Sequence, residues 1–133
     1  MIKFLLTTAA AAFCCVSLGI VHIGSSVAQQ QRSAFVLVER TATTGPESIQ
    51  EEYAKLARDI LPKYGARYLA RSQHNVLLEG DGAAPCCIAI LEFPSLEAVT
   101  RWYNSPENRD AVKVRDRGAK FRLIAVEGLP AQQ

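Results

Sequence analysis

Ile88-Ala89-Ile90-Leu91-Glu92-Phe93-Pro94-Ser95-Leu96-Glu97-Ala98-Val99-Thr100-Arg101-Trp102-Tyr103-Asn104-Ser105-Pro106-Glu107 decides how the chain is read. Ile88 to Phe93 is a short apolar run bounded by turn signals, the pattern of a buried strand. Pro94 has no N–H to give to a sheet ladder and ends the strand. Ser95 offers an oxygen to the backbone N–H groups that open a helix, and Ser105 followed by Pro106 repeats the signal for a second one. The stretch therefore predicts a strand, a sharp stop and two short capped helices.

Upstream, Ala34 to Glu39 is apolar on both faces until its last residue, as a central strand is. Thr41 to Gly45 reads as a loop, and Pro46 opens a helix with Glu47 near its positive end. Ile49, Tyr53, Leu56, Ile60 and Tyr64 recur at helical spacing, while Glu51, Glu52, Lys55, Arg58 and Asp59 are set outward. Pro62 should distort the last turn and Gly65 should cap it in the left-handed conformation. Arg67 to Arg71 alternates as a second strand, which Val76 to Glu79 continues or restarts before the turn Gly80-Asp81-Gly82. After the quoted stretch, the last helix runs to about Arg117 and stops at Gly118, and Phe121 to Glu127 is the final strand. The order is βαββαβ. It predicts an α+β, ferredoxin-like fold: a four-stranded antiparallel sheet with its helices on one face.

The first and third strands carry apolar side chains on both faces, Phe35 and Leu37 against Val36 and Val38, and Ile88 and Ile90 against Ala89 and Leu91. Helices cover only one face, so the other must meet a second copy or stand as a large apolar patch. The expected partner is the chain itself, as a homodimer.

The 133 residues, 49% hydrophobic and 21% charged, suit one domain. A net charge of +2, without a basic run or aromatic-basic signature, gives no indication of a nucleic-acid partner. Residues 1–28 read as a signal peptide: Lys3 in a short positive start, an uncharged run from Phe4 to Ile23, and Ser26-Val27-Ala28 as the small residues a signal peptidase reads. Cleavage after Ala28 and export to the periplasm are expected. The alternative is an uncleaved anchor in the inner membrane, since the run approaches the roughly 20 residues of a spanning helix. Neither Cys14 nor Cys15 has the preceding small residues of a lipoprotein signal. With Lys3 removed, 14 basic and 13 acidic residues remain. Residues 29–33 form a polar tether, and 34–133 the domain.

Lys63-Tyr64-Gly65-Ala66-Arg67-Tyr68-Leu69-Ala70-Arg71, then Leu78-Glu79-Gly80-Asp81, Leu91-Glu92-Phe93-Pro94-Ser95, Trp102-Tyr103-Asn104-Ser105-Pro106-Glu107 and Val126-Glu127-Gly128 together resemble the DUF1330 family. The resemblance covers Ala34 to Gly128. It implies a dimeric α/β barrel, in which two ferredoxin-like sheets pack face to face, and it brings no established reaction. The chain departs from similar sequences in its exported N-terminus and in Cys87, which stands where a basic residue is frequent.

No Ser-His-Asp order, glycine-rich phosphate loop or paired-carboxylate signature is present, and no cofactor is expected. Cys86-Cys87 lacks a histidine at metal spacing, so no metal site is expected, and an adjacent-cysteine disulfide would be strained. His74, with an ordinary pKa near neutrality, is an acid–base candidate, with Arg71 and Glu92 as further polar candidates for catalysis. Glu92 would pair with a base such as Arg71 or Arg115, or act as a base if buried. Trp102, Tyr103 and Tyr68 are the candidate walls of a ligand site. Trp102 and Tyr103, being adjacent, must diverge around their helix. Two functions follow: an exported homodimer that binds a small apolar or aromatic ligand or serves a non-catalytic role, and, by fold analogy, a cofactor-independent oxygenase or isomerase.

Overall fold

A computed structural model describes residues 32–130. The predicted signal peptide and most of the tether lie outside the described residues. Strand β1 (Ala34–Thr43) leads into helix α1 (Glu47–Ile60) and a 3₁₀ turn (Leu61–Tyr64). Then come β2 (Arg67–Ser72), β3 (Ile88–Phe93), α2 (Leu96–Tyr103), α3 (Pro106–Arg115) and β4 (Ala119–Glu127). The sheet order is β2-β3-β1-β4 with every neighbouring pair antiparallel, the ferredoxin-like arrangement.

Side chains alternate across a strand, so the register assigns the two faces. Ala34 lies opposite Phe93 and Val36 opposite Leu91. These four residues pack with Ile60, Ala98, Val99, Trp102 and Ala111 from the helices, so all three helices cover one face. Phe93 is fully buried and its ring lies 5.1 Å from that of Trp102. On the other face, Leu37 lies between Ile90 and Ile124, and Phe35 between Glu92 and Val126. This apolar band is bounded by two cross-strand ion pairs, Arg67 with Glu92 at 2.6 Å and Arg122 with Glu39 at 2.7 Å.

Local chemistry explains the boundaries. Ser95 Oγ accepts from Ala98 N, and Ser105 Oγ from Asn108 N, both at 3.2 Å, so each serine caps its helix as its sequence position suggests. Gly65 takes φ 69° after the 3₁₀ turn that Pro62 occupies. Pro46 stands at the cap of α1, so the helix begins at Glu47, one residue after its expected start.

Three expectations need correction. Strand β1 runs on to Thr43, because β4 begins at Ala119 and supplies partners that far. The buried stripe of α1 is Gln50, Ala57 and Ile60, rotated from the predicted one, and Leu56 is exposed. Residues 76–79 form no strand, and Val76 and Leu78 are 81% and 93% exposed. They have nothing to pair with: β3 starts only at Ile88, and the approach to it contains Pro85, which lacks a donor. The segment 73–87 is instead closed at its base by Asn75 Nδ2, which donates to Pro85 O at 2.9 Å.

Phe93 sits where the sheet, α2 and the core meet. Phe93→Ala should lower stability by about 3–5 kcal/mol, the usual cost of emptying an aromatic core site. Urea unfolding with an unchanged denaturant slope would register it.

Candidate functional site

A cavity of about 80 Å³ lies between α1 and the sheet. Ala54, Ala57 and Leu61 line it from the helical side, Leu91 from the sheet, and Trp102 from α2. This apolar wall follows from the register, since Leu91 faces the helices and α1 presents alanines where it crosses the sheet.

The polar groups come from three elements. Arg40, near the end of β1, forms a forked pair with Glu47 at the start of α1: Nη1 to Oε2 at 2.8 Å and Nη2 to Oε1 at 3.0 Å. Its side chain is 9% exposed, and its Nε–H is buried without a partner. Gln50, 3% exposed, donates from Nε2 to the Arg115 carbonyl at 3.0 Å, which ties α1 to α3. That bond fixes the amide orientation, since a flip would set oxygen against oxygen. Gln50 Oε1 is left buried and unpartnered. Tyr53, Tyr68, Arg71 and Cys87 complete the polar lining. Gly118 makes room for Gln50: a Cβ there would lie 3.1 Å from Nε2 and 3.0 Å from the side chain of Ile49.

Electrostatics give the lining one character. The Arg40 pKa is raised by its bond to Glu47. The phenols of Tyr53 and Tyr68 are raised chiefly by burial. The Cys87 thiol is pushed up to about 11, again chiefly by burial. At neutral pH the wall therefore presents N–H, O–H and S–H groups, and Gln50 Oε1 is its buried, unpartnered acceptor. Beside the cavity, the Arg115 guanidinium lies 4.9 Å over the Phe121 ring and 5.7 Å over that of Tyr53.

Of the residues singled out in the sequence, Arg71, Tyr68 and Trp102 line this cavity together. Tyr103 is exposed and lines a separate depression between α2 and β4, although Trp102 borders both. His74 lies in the 73–87 segment, where its backbone N–H donates to Ser72 Oγ at 2.9 Å. Glu92 belongs to the opposite face of the sheet and pairs with Arg67 rather than Arg71 or Arg115. Among the described residues no cluster of three or more metal-ligating side chains occurs. Sequence reading passed over Arg40 and Gln50. A signal was present: Gln50, Tyr53, Ala57 and Ile60 follow helical spacing, so a glutamine stood on the buried stripe.

Fold and cavity together define a ferredoxin-like α+β protein with a small, partly open site between its long helix and its sheet. The chain belongs to the DUF1330 family, a domain of unknown function, whose model matches residues 33–129. Among solved structures it is similar to RPA0582, a protein of unknown function from Rhodopseudomonas palustris. The identity is 20% and the TM-score 0.62, over 74% of this chain and 84% of that one. Methylated RPA0582 matches at 23% identity and a TM-score of 0.58, over 77% and 85%. SnoaB, a cofactor-independent oxygenase from Streptomyces nogalater, aligns at 14% identity and a TM-score of 0.48, over 77% and 95%. No curated protein matches.

The thiol pair should react unequally. Cys86 is exposed, whereas Cys87 is half-buried and holds its proton to about pH 11. Brief iodoacetamide treatment at mildly alkaline pH should label Cys86 and leave Cys87 largely unmodified by mass spectrometry. The raised pKa values of Cys87, Tyr53 and Tyr68 also favour the folded state only while these groups stay protonated. Stability should therefore fall as pH rises from the ordinary thiol value of 9.0 through about 11, and Cys87→Ala should flatten part of that fall.

Proposed function

We propose that the chain is an exported homodimer that binds a small ligand with an apolar or aromatic body in the cavity beneath α1. The observation that carries this reading is the cavity itself: an apolar wall closed by Trp102, with polar groups from β1, α1 and β2 converging on it. Such a combination is the usual form of a small-molecule site. The dimer rests on the second sheet face. Phe35, Leu37, Ile90, Ile124 and Val126 share it, and a two-fold partner presenting the same band would remove it from water. The charged ends of the band, Arg67–Glu92 and Arg122–Glu39, suit the polar rim of such an interface.

The oxygenase or isomerase alternative has less support. His74 and Glu92 stand away from the cavity, and the lining groups with displaced pKa values keep their protons at neutral pH. A base poised to take a proton from substrate is what that chemistry would ask for. Export rests on the Ser26-Val27-Ala28 site and its preceding apolar run; the mass of the processed chain should place its first residue at Gln29.

Trp102 is the single tryptophan of the chain, so its fluorescence reports the cavity directly. A screen of small aromatic and aliphatic compounds should yield ligands that raise the melting temperature and shift that fluorescence together. Absence of both across the screen would refute ligand binding. For the assembly, sedimentation of the processed chain should give about twice its own single-chain mass, and Leu37→Asp should return it to one.

A further inference from the structure

We infer that the ligand of this cavity is a small carboxylate bearing a neighbouring hydroxyl, held between Arg40, Arg71 and Gln50; the inference rests on the cavity being a ligand site. Two buried polar atoms carry it. Arg40 Nε–H requires an acceptor and Gln50 Oε1 requires a donor, and both side chains are more than nine-tenths buried on the cavity wall. Leaving such atoms unpaired is unfavourable, so the wall is suited to a partner that supplies both an acceptor and a donor. A ligand that fits must bring both halves of the hydrogen-bond chemistry at once.

Charge selects between neutral and anionic acceptors. The Arg40 guanidinium is already matched by Glu47 through its two terminal nitrogens. Arg71 also lines the cavity from its exposed side and, among the described residues, makes no direct ion pair, although Glu47 feels its charge. A guanidinium free of a direct partner at the mouth can receive an anionic group. The phenols of Tyr53 and Tyr68 add neutral donors to an oxyanion. The carboxylate thus answers Arg71 and Arg40 Nε, and the hydroxyl donates to Gln50 Oε1.

Size and wall chemistry set the remainder. At roughly 10–15 Å³ per water-sized sphere, 80 Å³ holds about five to eight such spheres, the scale of a short-chain acid. Ala54, Ala57 and Leu91 leave the carbon skeleton an apolar bed.

The test compares three probes on the full chain by Trp102 fluorescence and calorimetry: 2-hydroxybutyrate, butyrate and 1,2-butanediol. The hydroxy acid should bind about tenfold tighter than either comparator, the effect of one charge-assisted hydrogen bond gained or lost. Arg71→Gln, an exposed change that leaves the core intact, should weaken both acids and leave the diol unchanged. Gln50→Met should bring 2-hydroxybutyrate down to the affinity of butyrate; the wild-type comparison stands whether or not that variant folds. Equal binding of all three probes overturns the inference, as does indifference of the acids to Arg71→Gln. So does a crystal structure in which one water bridges Arg40 and Gln50 and persists at saturating 2-hydroxybutyrate. If these probes fail while an apolar compound from the screen still binds, the cavity remains a ligand site and only its assigned chemistry falls. If nothing binds, both fall.

Discussion

A central strand that is apolar on both sides is the constraint from which the architecture follows. In β1, Val36 faces the helices and Leu37 faces away, and each is flanked by apolar residues of β3 and β4. Burial of apolar surface is the dominant favourable term in folding, and three helices on one side satisfy only half of this strand. The covered half makes the core, with Phe93 and Trp102 in contact at its centre. The uncovered half is the face on which the proposed homodimer would close. The cavity is a by-product of the same geometry, since it occupies the space where α1 crosses the sheet and small alanines leave a gap.

Much of this fold was legible because its signals are local. Pro94, Ser95, Ser105 and Pro106 fix where β3 ends and where α2 and α3 begin, and no distant contact is needed to read them. Gly65 at positive φ is likewise a one-residue statement. The misreadings all involve partners remote in sequence. Val76 to Glu79 has the composition of a strand and lacks only a neighbour. Thr41 to Thr43 looks like a loop and becomes strand because β4 is there to pair with it. Composition describes what a segment is able to do, and pairing decides what it does.

The site was legible by halves for a related reason. Trp102 and Tyr68 are aromatic, Arg71 is charged, and such residues draw attention wherever they stand. Arg40 and Gln50 are ordinary in type, and only their burial makes them unusual. A glutamine on a helix is exposed far more often than not, so its chemistry becomes meaningful once the helix is docked. The bond from Gln50 to the Arg115 carbonyl shows how docking does this, because the contact that joins α1 to α3 leaves the other end of the amide buried without a partner. Glu92 gives the reverse case: a carboxylate in an apolar strand suggests a site, and one step of alternation sends it to the far side of the sheet, to Arg67.

The connection 73–87 has a consequence for how the chain can vary. Its ends are set by Ser72 and Ile88 in adjacent strands, and Asn75 clamps it near the base. Everything beyond the clamp stands clear of the core, with Gly80 and Gly82 in open space. Loop-closure entropy grows only slowly with length, so added or deleted residues here cost little. This is the place where the chain can accept a graft, a tag or a new epitope while the sheet registry stays as it is.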